Sequence, residues 1–350
     1  MHRTLGSAAF LLAITPLAVA QTTVVVPCAA DGTLYESPTG SLANGSGTGM
    51  FVGLNATGLI RRAVLRFNVA AHVPAGAEIV SAQLNLTSSQ TTVVGPTPIT
   101  GHRLQAVWGE GGSVASGNGG GGAAAQTNDA TWLHTFFPGA TWTTPGGDFA
   151  ATATLTASMP AFGSFSSDLS AATTADVQSW LDAPAANFGW VLRADEIQPQ
   201  SAHRLNSREN TLGKPTLTVA YLLPGQNGVW GVGCPVGAGN MGVAWSGAPT
   251  GGNTIQVVKT GGTPNTFGGD FYALSLDLPG TPFLPGCSAY LPLNELVVGA
   301  VFPTNGAGDG TSSFPVPSGF PGYLIATQAA VLANNSVGFV VSNAAMVVLQ

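Results

Sequence analysis

The sequence contains very few charged residues. Of its 350 residues, 10 are Lys or Arg and 16 are Asp or Glu, so only 7% of the chain is charged, against about 25% in an ordinary soluble protein. The formal net charge is −6, and so few cations do not attract a phosphate backbone, which predicts no nucleic-acid partner. Disordered chains combine low hydrophobicity with high net charge. This chain is 45% hydrophobic and can therefore bury a core.

The sequence also lacks the residue patterns of the common catalytic sites. Four histidines follow residue 20 (His72, His102, His134 and His203), and none has the His-x-His or His-Glu-x-x-His spacing of a zinc site. Asp195 and Glu196 are adjacent, and in a strand they would point to opposite faces rather than act as a glycosidase pair. The four glycines 119–122 are not followed by the Lys-Ser/Thr of a phosphate-binding loop. We therefore predict that the protein is not an enzyme.

Long hydrophobic runs are absent as well. The apolar run Ala8–Ala20 is about 13 residues long, whereas a membrane-spanning helix needs roughly 20. It follows Arg3 and ends in Ala18-Val19-Ala20 before Gln21, the order of charge, apolar run and cleavage site typical of a secretory signal peptide. Residues 1–20 are thus predicted to be a signal peptide. The mature protein is predicted to be secreted, extracellular and not membrane-spanning.

Only three cysteines are present. In an exported protein this number suggests one disulfide and one remaining thiol, and three pairings are open. We favour Cys234 with Cys287, because both lie in Gly/Pro turns of the C-terminal part. The bridge would close a loop of about 53 residues and contribute about 2 to 4 kcal/mol. Cys28 would then be free or cross-linked to another chain.

Glycine and β-branched residues are abundant. The chain has 48 Gly and 24 Pro without a Gly-X-Y period, which predicts short strands joined by many turns. The clearest strand is 59–69, where alternation places Arg61, Leu65 and Phe67 toward the core and Arg62 and Arg66 outward. One helix is predicted at 174–182, capped by Thr174 and stopped by Pro184.

Composition shifts divide the chain into two predicted domains. Residues 21–223 form the first, and within it the Gly/Ala/Ser-rich stretch 111–126 is predicted to be a flexible surface loop. Residues 224–233 are rich in Gly and are predicted to be a linker. Residues 234–350 read as a second, smaller β-sandwich. Of the nine Lys and Arg residues after residue 20, only Lys259 follows residue 224, so a site for an acidic ligand is expected in the first domain.

Several segments in one order resemble a known family. They are DGTLYESPTGSLANG (31–45), LIRRAVLRFNV (59–69), IVSAQLNLT (79–87), HRLQAVWGEG (102–111), NDATWLHTFFPGATWTTPGGDFAATA (128–153), ADVQSWLDAPAANFGWVLRADE (175–196), RLNSREN (204–210) and KPTLTVAY (214–221). Together they resemble the disaggregatase-related (DNRLRE) domain, also classed as carbohydrate-binding module family 96. The resemblance implies a jelly-roll-type β-sandwich, extracellular placement and polysaccharide binding. The C-terminal part resembles small β-domains at the ends of secreted bacterial proteins, and that likeness implies no activity.

Basic residues are the first candidates for ligand binding. Arg62 and Arg66 share one strand face and lie roughly 13 Å apart. Their planar forks suit the carboxylates of an acidic glycan. The alternative is that they pair with Glu36, Asp195, Glu196 or Glu209 on neighbouring strands. Arg204 and Arg208 could extend the same patch, and Arg61 is expected to be a structural arginine.

Aromatic and acidic side chains supply the remaining candidates. Trp132 and Trp142 could stack on sugar rings, or they could pack in the core. A structural calcium ion is considered because jelly-roll binding modules often hold one with oxygen ligands. Asp31, Glu36 and Asn44 could contribute to it, although their spacing is not that of an EF-hand.

The sequence therefore predicts a secreted, non-catalytic protein that binds an extracellular polysaccharide, with acidic glycans favoured. The alternative is a structural or adhesive component of a cell-surface layer or extracellular matrix that has no specific sugar ligand. The unpaired Cys28 favours this alternative, because it could cross-link chains.

Overall fold

The computed structural model describes residues 21–350, and the predicted signal peptide lies outside these residues. The N-terminal part contains twelve strands: β1 Thr22–Tyr35, β2 Leu42–Ala43, β3 Gly49–Leu54, β4 Ile60–Phe67, β5 Glu78–Thr91, β6 Thr97–Arg103, β7 Ala123–Ala124, β8 Leu155–Met159, β9 Gly163–Ser166, β10 Trp190–Arg193, β11 His203–Asn206 and β12 Thr216–Leu222. It also contains the helix α1, Ala171–Asp182, and two short 3₁₀ helices, Val69–Ala71 and Pro184–Ala186.

The C-terminal part is also built from strands: β13 Asn227–Trp230, β14 Pro235–Val236, β15 Gly239–Asn240, β16 Gly242–Ser246, β17 Thr254–Thr260, β18 Phe267–Ala273, β19 Thr281–Leu284, β20 Cys287–Ala289, β21 Val297–Pro303, β22 Gly310–Pro315, β23 Leu324–Leu332, β24 Phe339–Val341 and β25 Ala344–Val348. A sheet in the order β13-β25-β23-β18-β21 packs on the sheet β16-β17-β22. The prediction of an all-β chain with two sandwiches is confirmed.

The N-terminal sandwich has two sheets that share strands. One sheet runs β1-β12-β5-β11-β3, and the other runs β1-β4-β10-β6-β8. β1 passes from the first to the second at Cys28, where its register with β4 shifts, and β3 passes between the sheets near Gly53. The core between the sheets contains Phe67, Trp180 and Trp190, all fully buried.

A second apolar layer covers the outer face of β4. Trp108, Trp132 and Trp142, from the segment 104–149, pack against Leu34, Val64 and Val191. Both faces of β4 are therefore buried, and Arg62 is only 9% exposed. Arg62 lies on the outer face of β4 as predicted, but a later segment covers that face, which strand alternation does not reveal.

The helix begins three residues before its predicted start. Its N-cap is Ser170, whose hydroxyl accepts a hydrogen bond from the amide of Thr173, so the predicted cap Thr174 lies inside the helix. Val177, Trp180 and Leu181 face the core as expected. The helix ends at Asp182 before Pro184.

The Gly-rich stretch 111–126 is held in place rather than freely exposed. The hydroxyl of Tyr35 donates to the carbonyl of Gly119 (2.8 Å), and the amide of Ala115 donates to Oδ1 of Asn44 (2.8 Å). β7 pairs with β2. Gly119 has φ +88°, which a residue with a side chain rarely adopts. Glycine here permits a tight fold-back of the loop, which differs from the expected flexible excursion.

The stretch predicted as a linker, 224–233, contains β13, which pairs with β25. Gly and Pro near it form the turn before the strand, so composition alone did not reveal the strand itself. Val80 and Leu222 of the N-terminal part share an apolar cluster with Leu276 and Met346 of the C-terminal part. The two parts therefore pack against each other.

Cys234 and Cys287 form the predicted disulfide. Cys28 is free and buried, and its thiol donates to the carbonyl of Ala30 (3.3 Å). The proposed cross-link through Cys28 therefore needs correction, because the folded chain does not present this thiol at its surface. None of the helices within residues 21–350 has the length and apolarity to cross a membrane.

Candidate functional site

The cationic side chains fall into two groups by their partners. Of the nine Lys and Arg residues within 21–350, five form ion pairs with carboxylates: Arg62, Arg103, Arg193, Arg208 and Lys259. Within the same range Arg61, Arg66, Arg204 and Lys214 have no such partner within 4 Å. Two of these four, Arg61 and Arg204, line one cleft. A cation without a carboxylate in a cleft is available for an anionic ligand.

This Arg61 cleft has a volume of about 260 Å³ and lies where β3 crosses between the two sheets. Segments far apart in sequence supply its walls, and the residues used below are Phe51, Asn55, Arg61, Gln90, Asn118 and Arg204. Amide side chains therefore surround the two guanidinium groups. The Gly-rich loop contributes Asn118 and Gly120 to the rim.

Arg61 is the more deeply buried of the two cations, at 3% exposure. It lies near the start of β4 opposite Gly53 and Tyr35, and its guanidinium carbon is 4.9 Å from the centre of the Tyr35 ring. Nη1 donates to the carbonyl of Ile60, while the buried Nε has no partner. Burial lowers the pKa of Arg61, which reflects the cost of a charge removed from water.

Arg204 is fixed by hydrogen bonds to neutral groups. Nε donates to the carbonyl of Asn118 (3.2 Å), Nη1 to the hydroxyl of Ser89 (2.7 Å) and Nη2 to the carbonyl of Thr48 (2.9 Å). Burial lowers its pKa as well. These partners orient the side chain without neutralising it, so its positive charge adds to that of Arg61.

The cleft can thus hold a carboxylate and surrounding hydroxyl groups. A carboxylate would accept charge-assisted hydrogen bonds from a guanidinium, which are stronger than neutral ones. Gln90 and Asn118 offer both donors and acceptors to hydroxyls, whereas Oδ1 of Asn55 already accepts from Thr57 and Leu59. The Phe51 ring, only 6% exposed, lines the cleft.

No family model matches this chain. A search of curated proteins also returned no match. Among solved structures, the chain was aligned with the N-terminal CBM22-1–CBM22-2 tandem domain from Paenibacillus barcinonensis Xyn10C at 10% identity, over 94% of this chain and 99% of that one. The TM-score is 0.18, and a similarity this low carries no structural argument. The resemblance to the DNRLRE domain stays a prediction.

Arg62 and Arg66, the arginine pair first expected to bind ligand, do not line the Arg61 cleft. Arg62 donates Nε and Nη2 to Glu196 (2.8 and 3.0 Å) and Nη1 to the carbonyl of Gly146, and it borders a separate shallow cleft of about 670 Å³. Arg66 lies 5.9 Å from the Trp108 ring centre. The pairing of Arg62 with Glu196 is the alternative that the sequence left open.

Most of the other predicted binding residues also lie away from the Arg61 cleft. Arg208 pairs with Glu110. Trp132 and Trp142 pack in the covering layer and do not line the Arg61 cleft. Of the six predicted binding residues, only Arg204 lines the Arg61 cleft. Arg61 was missed as a ligand residue because alternation assigned it to the core. Its position near the start of the predicted strand was the available signal that it could reach the mouth of the sandwich.

The three predicted calcium ligands have separate surroundings. Oε2 of Glu36 accepts a hydrogen bond from the amide of Ile60 (2.6 Å). Asn44 bonds with the backbone of Gly49 and Ala115. Asp31 instead lies beside Glu110 and Glu209. The structure therefore does not bring Asp31 and Glu36 into one group of carboxylates, and the calcium set stays a prediction.

Proposed function

We propose that this chain is a non-catalytic, polysaccharide-binding protein and that the Arg61 cleft binds an acidic sugar unit. The observation that carries the proposal is the meeting of two guanidinium groups, neither with a carboxylate within 4 Å, in one cleft. Because a buried cation with no carboxylate in contact is costly and Glu36 acts on Arg61 only from beyond 4 Å, a sugar carboxylate would gain by entering next to Arg61.

The cleft favours one unit of a longer polymer. Its volume of about 260 Å³ lies just below the range of about 300 to 1,000 Å³ usual for small-molecule sites, and a polymer chain would continue past the open rim. Arg204, already oriented by Asn118, Ser89 and Thr48, would contribute charge without losing further side-chain entropy. Asn55 and Gln90 would select the hydroxyl pattern of the sugar.

An extracellular partner is part of the proposal. The predicted signal peptide and the Cys234–Cys287 disulfide both suit a protein that works outside the cell. The alternative structural role has less support, because the buried Cys28 is not placed to link chains. Alginate and pectin, whose units carry carboxylates, are the preferred test polymers.

Affinity gel electrophoresis with alginate, pectin or a neutral glucan in the gel tests the proposal. The protein should be retarded by an acidic polymer and less by a neutral one. The variant Arg61→Gln should bind about 10 to 100 times more weakly, because a hydrogen bond to a charged group is worth about 1.5 to 3 kcal/mol. Lys214→Gln is the matched control, since it removes one positive charge from an exposed position and should bind like the wild type.

Two results would contradict the proposal. One is the absence of retardation by every polymer. The other is an equal effect of Arg61→Gln and Lys214→Gln, which would show that net charge and not the cleft governs binding. Near-ultraviolet circular dichroism of both variants checks that a loss of binding is not a loss of fold.

A further inference from the structure

A lysine and an aspartate are completely enclosed within the C-terminal sandwich. Lys259 and Asp270 are both 0% exposed, although a lysine is almost never fully buried unless it is paired. Lys259 lies on β17 and Asp270 on β18, and these two strands belong to opposite sheets. A primary amine and a carboxyl group therefore meet in contact across the core, away from water.

The two groups are close enough to react. Nζ of Lys259 is 2.8 Å from Oδ1 of Asp270 and 3.0 Å from Oδ2, so it lies close to the carboxyl carbon between them. Reacting atoms held about 3 to 3.5 Å apart have the spacing of a near-attack arrangement. The Phe302 ring, with its centre 4.1 Å from Nζ, lies against the amine. Oδ1 has no hydrogen-bond partner, so only Oδ2 restrains the carboxyl group from turning its face toward Nζ.

Ser312 on β22 connects the amine and the carboxyl group through its hydroxyl. Oγ accepts a hydrogen bond from Nζ of Lys259 and donates one to Oδ2 of Asp270. A proton can therefore pass from the ammonium group to Oγ while the hydroxyl proton passes to Oδ2. This transfer leaves a neutral amine beside a neutral carboxylic acid, and it removes two charges that are costly to hold away from water.

The surroundings favour the neutral form of the amine. Burial lowers the pKa of Lys259, and the contact with Asp270 opposes this shift. An unprotonated lysine amine is a nucleophile, and a desolvated lysine is more readily unprotonated than an exposed one. The argument itself rests on the enclosure, the contact distances and the position of Ser312.

We propose that Lys259 and Asp270 form an intramolecular isopeptide bond in the folded chain. The neutral Nζ attacks Cγ of the protonated Asp270 carboxyl group, and the Nζ–Cγ bond forms. The bond from Cγ to Oδ2 breaks, and this hydroxyl leaves as one water molecule with a proton that Nζ gives up through Ser312. No oxidant, reductant or cofactor is needed, because an amine and a carboxylic acid together give an amide and water. The proposal is independent of the proposed sugar binding.

Such a bond would join the two sheets of the C-terminal part covalently. The enclosure that brings the groups together would also keep water from hydrolysing the product. Unlike the Cys234–Cys287 disulfide, an amide is not broken by a reducing agent. The bonded and unbonded chains differ in mass by one water, and the energetics of the ion pair belong to the unbonded chain.

Intact mass spectrometry of residues 21–350, after reduction and denaturation, tests the proposal. We expect the protein to be lighter than its sequence by the mass of one water. Trypsin supplies a second readout, because it cuts after Lys and Arg, and Lys259 is the only such residue beyond Lys214. An amide on Nζ blocks this cut, so residues 260–350 should stay attached in the bonded chain and be released from the unbonded one.

Variants separate the reactants from the proton relay. Lys259→Met and Asp270→Ala each remove one reactant and should have the full mass of their sequences. Ser312→Ala keeps both reactants, and it should form the bond at least about tenfold more slowly, because proton transfer by a positioned group contributes about 10² to 10⁴-fold to a rate. Ser313→Ala is the matched control, since it removes an exposed hydroxyl from the same strand and should react at the wild-type rate. The rate is the growth of the lighter mass in samples taken at intervals after synthesis.

The wild type alone can overturn the proposal, so it does not depend on the folding of a variant. A full sequence mass that persists for several days, in a chain that near-ultraviolet circular dichroism shows to be folded, would refute the bond. A lighter mass together with normal release of residues 260–350 would place the loss of water elsewhere and also refute it. Equal rates in Ser312→Ala and the wild type would overturn the relay assigned to Ser312.

Discussion

Arg61 and Arg62 are neighbours on β4 and have opposite surroundings. Arg61 faces the inner side, lies against Tyr35 and has no carboxylate partner. Arg62 faces the covering layer, where Glu196 accepts two hydrogen bonds from it. Although burial alone would raise the pKa of Glu196, hydrogen bonds from Arg62 and Arg193 lower it to about 2. Adjacent residues of one type thus differ in role because a strand places them on opposite faces.

We expect Arg62→Ala to destabilise the fold while acidic-sugar binding persists. The change leaves Glu196 without its most buried partner and removes the contact over Trp132. Loss of one partner of a buried pair costs about 3 to 5 kcal/mol. Arg193 remains beside Glu196, so about 2 kcal/mol is expected. Urea unfolding measures the stability, and affinity gels measure the binding. An unchanged stability with lost binding would assign Arg62 to ligand contact instead.

At the scale of single elements, one ion pair connects the two sheets of the C-terminal part. Lys259 on β17 and Asp270 on β18 are fully buried, with Nζ 2.8 Å from Oδ1. Ser312 on β22 accepts from Nζ and donates to Asp270, and Phe302 lies with its ring centre 4.1 Å from Nζ. Burial lowers the pKa of Lys259, and Asp270 opposes that shift. The pair therefore fixes how β17 and β18 face each other.

Replacing one member of this pair should lower the free energy of unfolding more than replacing both. Lys259→Met leaves Asp270 charged and buried, for which about 3 to 5 kcal/mol of destabilisation is expected. The double variant Lys259→Met/Asp270→Leu removes both charges, and it should recover most of that loss. Urea unfolding of wild type, both single variants and the double variant gives the coupling energy. A near-neutral Lys259→Met would contradict the prediction.

An element could be predicted from the sequence when the pattern that indicates it lies within the element itself. Alternation in 59–69 predicted β4, and Pro184 with the apolar spacing of Val177, Trp180 and Leu181 predicted the helix. The covering layer was not predictable, because its contacts join Trp132 and Trp142 to strands far away in sequence. The Arg61 cleft also escaped prediction, since it forms only where β3 crosses between sheets and the Gly-rich loop folds over Phe51.

At the scale of the whole molecule, the two parts meet around an apolar cluster and a narrow groove. The groove is lined by Glu78 and Gln178 of the N-terminal part and by Leu274 and Leu324 of the C-terminal part. Burial raises the pKa of Glu78 to about 7, and repulsion by Asp182 adds to it. The contact thus holds a carboxyl group that the folded chain prefers to keep protonated.

This carboxyl group predicts a pH-dependent stability of the packed parts. The folded pKa of about 7 exceeds the usual value of 4.5, so the folded chain binds more protons than the unfolded chain between these values. The contribution of Glu78 to the stability of the fold is fully present below about pH 4.5, and it is lost as the pH rises through 7. Glu78→Gln should therefore match the wild type at pH 4 and be more stable by about 1 kcal/mol at pH 8, after allowance for solvent screening.

Thermal unfolding of both proteins from pH 4 to pH 8 measures this difference. Glu295→Gln serves as the control, because its exposed carboxylate should give no comparable trend with pH. A stability difference between Glu78→Gln and wild type that does not change with pH would contradict the prediction.

The pairing of β13 with β25 has a consequence for modularity. The amide of Gly225 donates to the carbonyl of Val348, and the amide of Val348 donates to the carbonyl of Gln226. The first and last strands of the C-terminal part are therefore side by side. Domains whose two ends lie close together tolerate insertion and circular permutation. The C-terminal part therefore has the end-to-end geometry that domain insertion needs. The same geometry suits circular permutation, in which its two ends are joined and new termini are opened at a different turn.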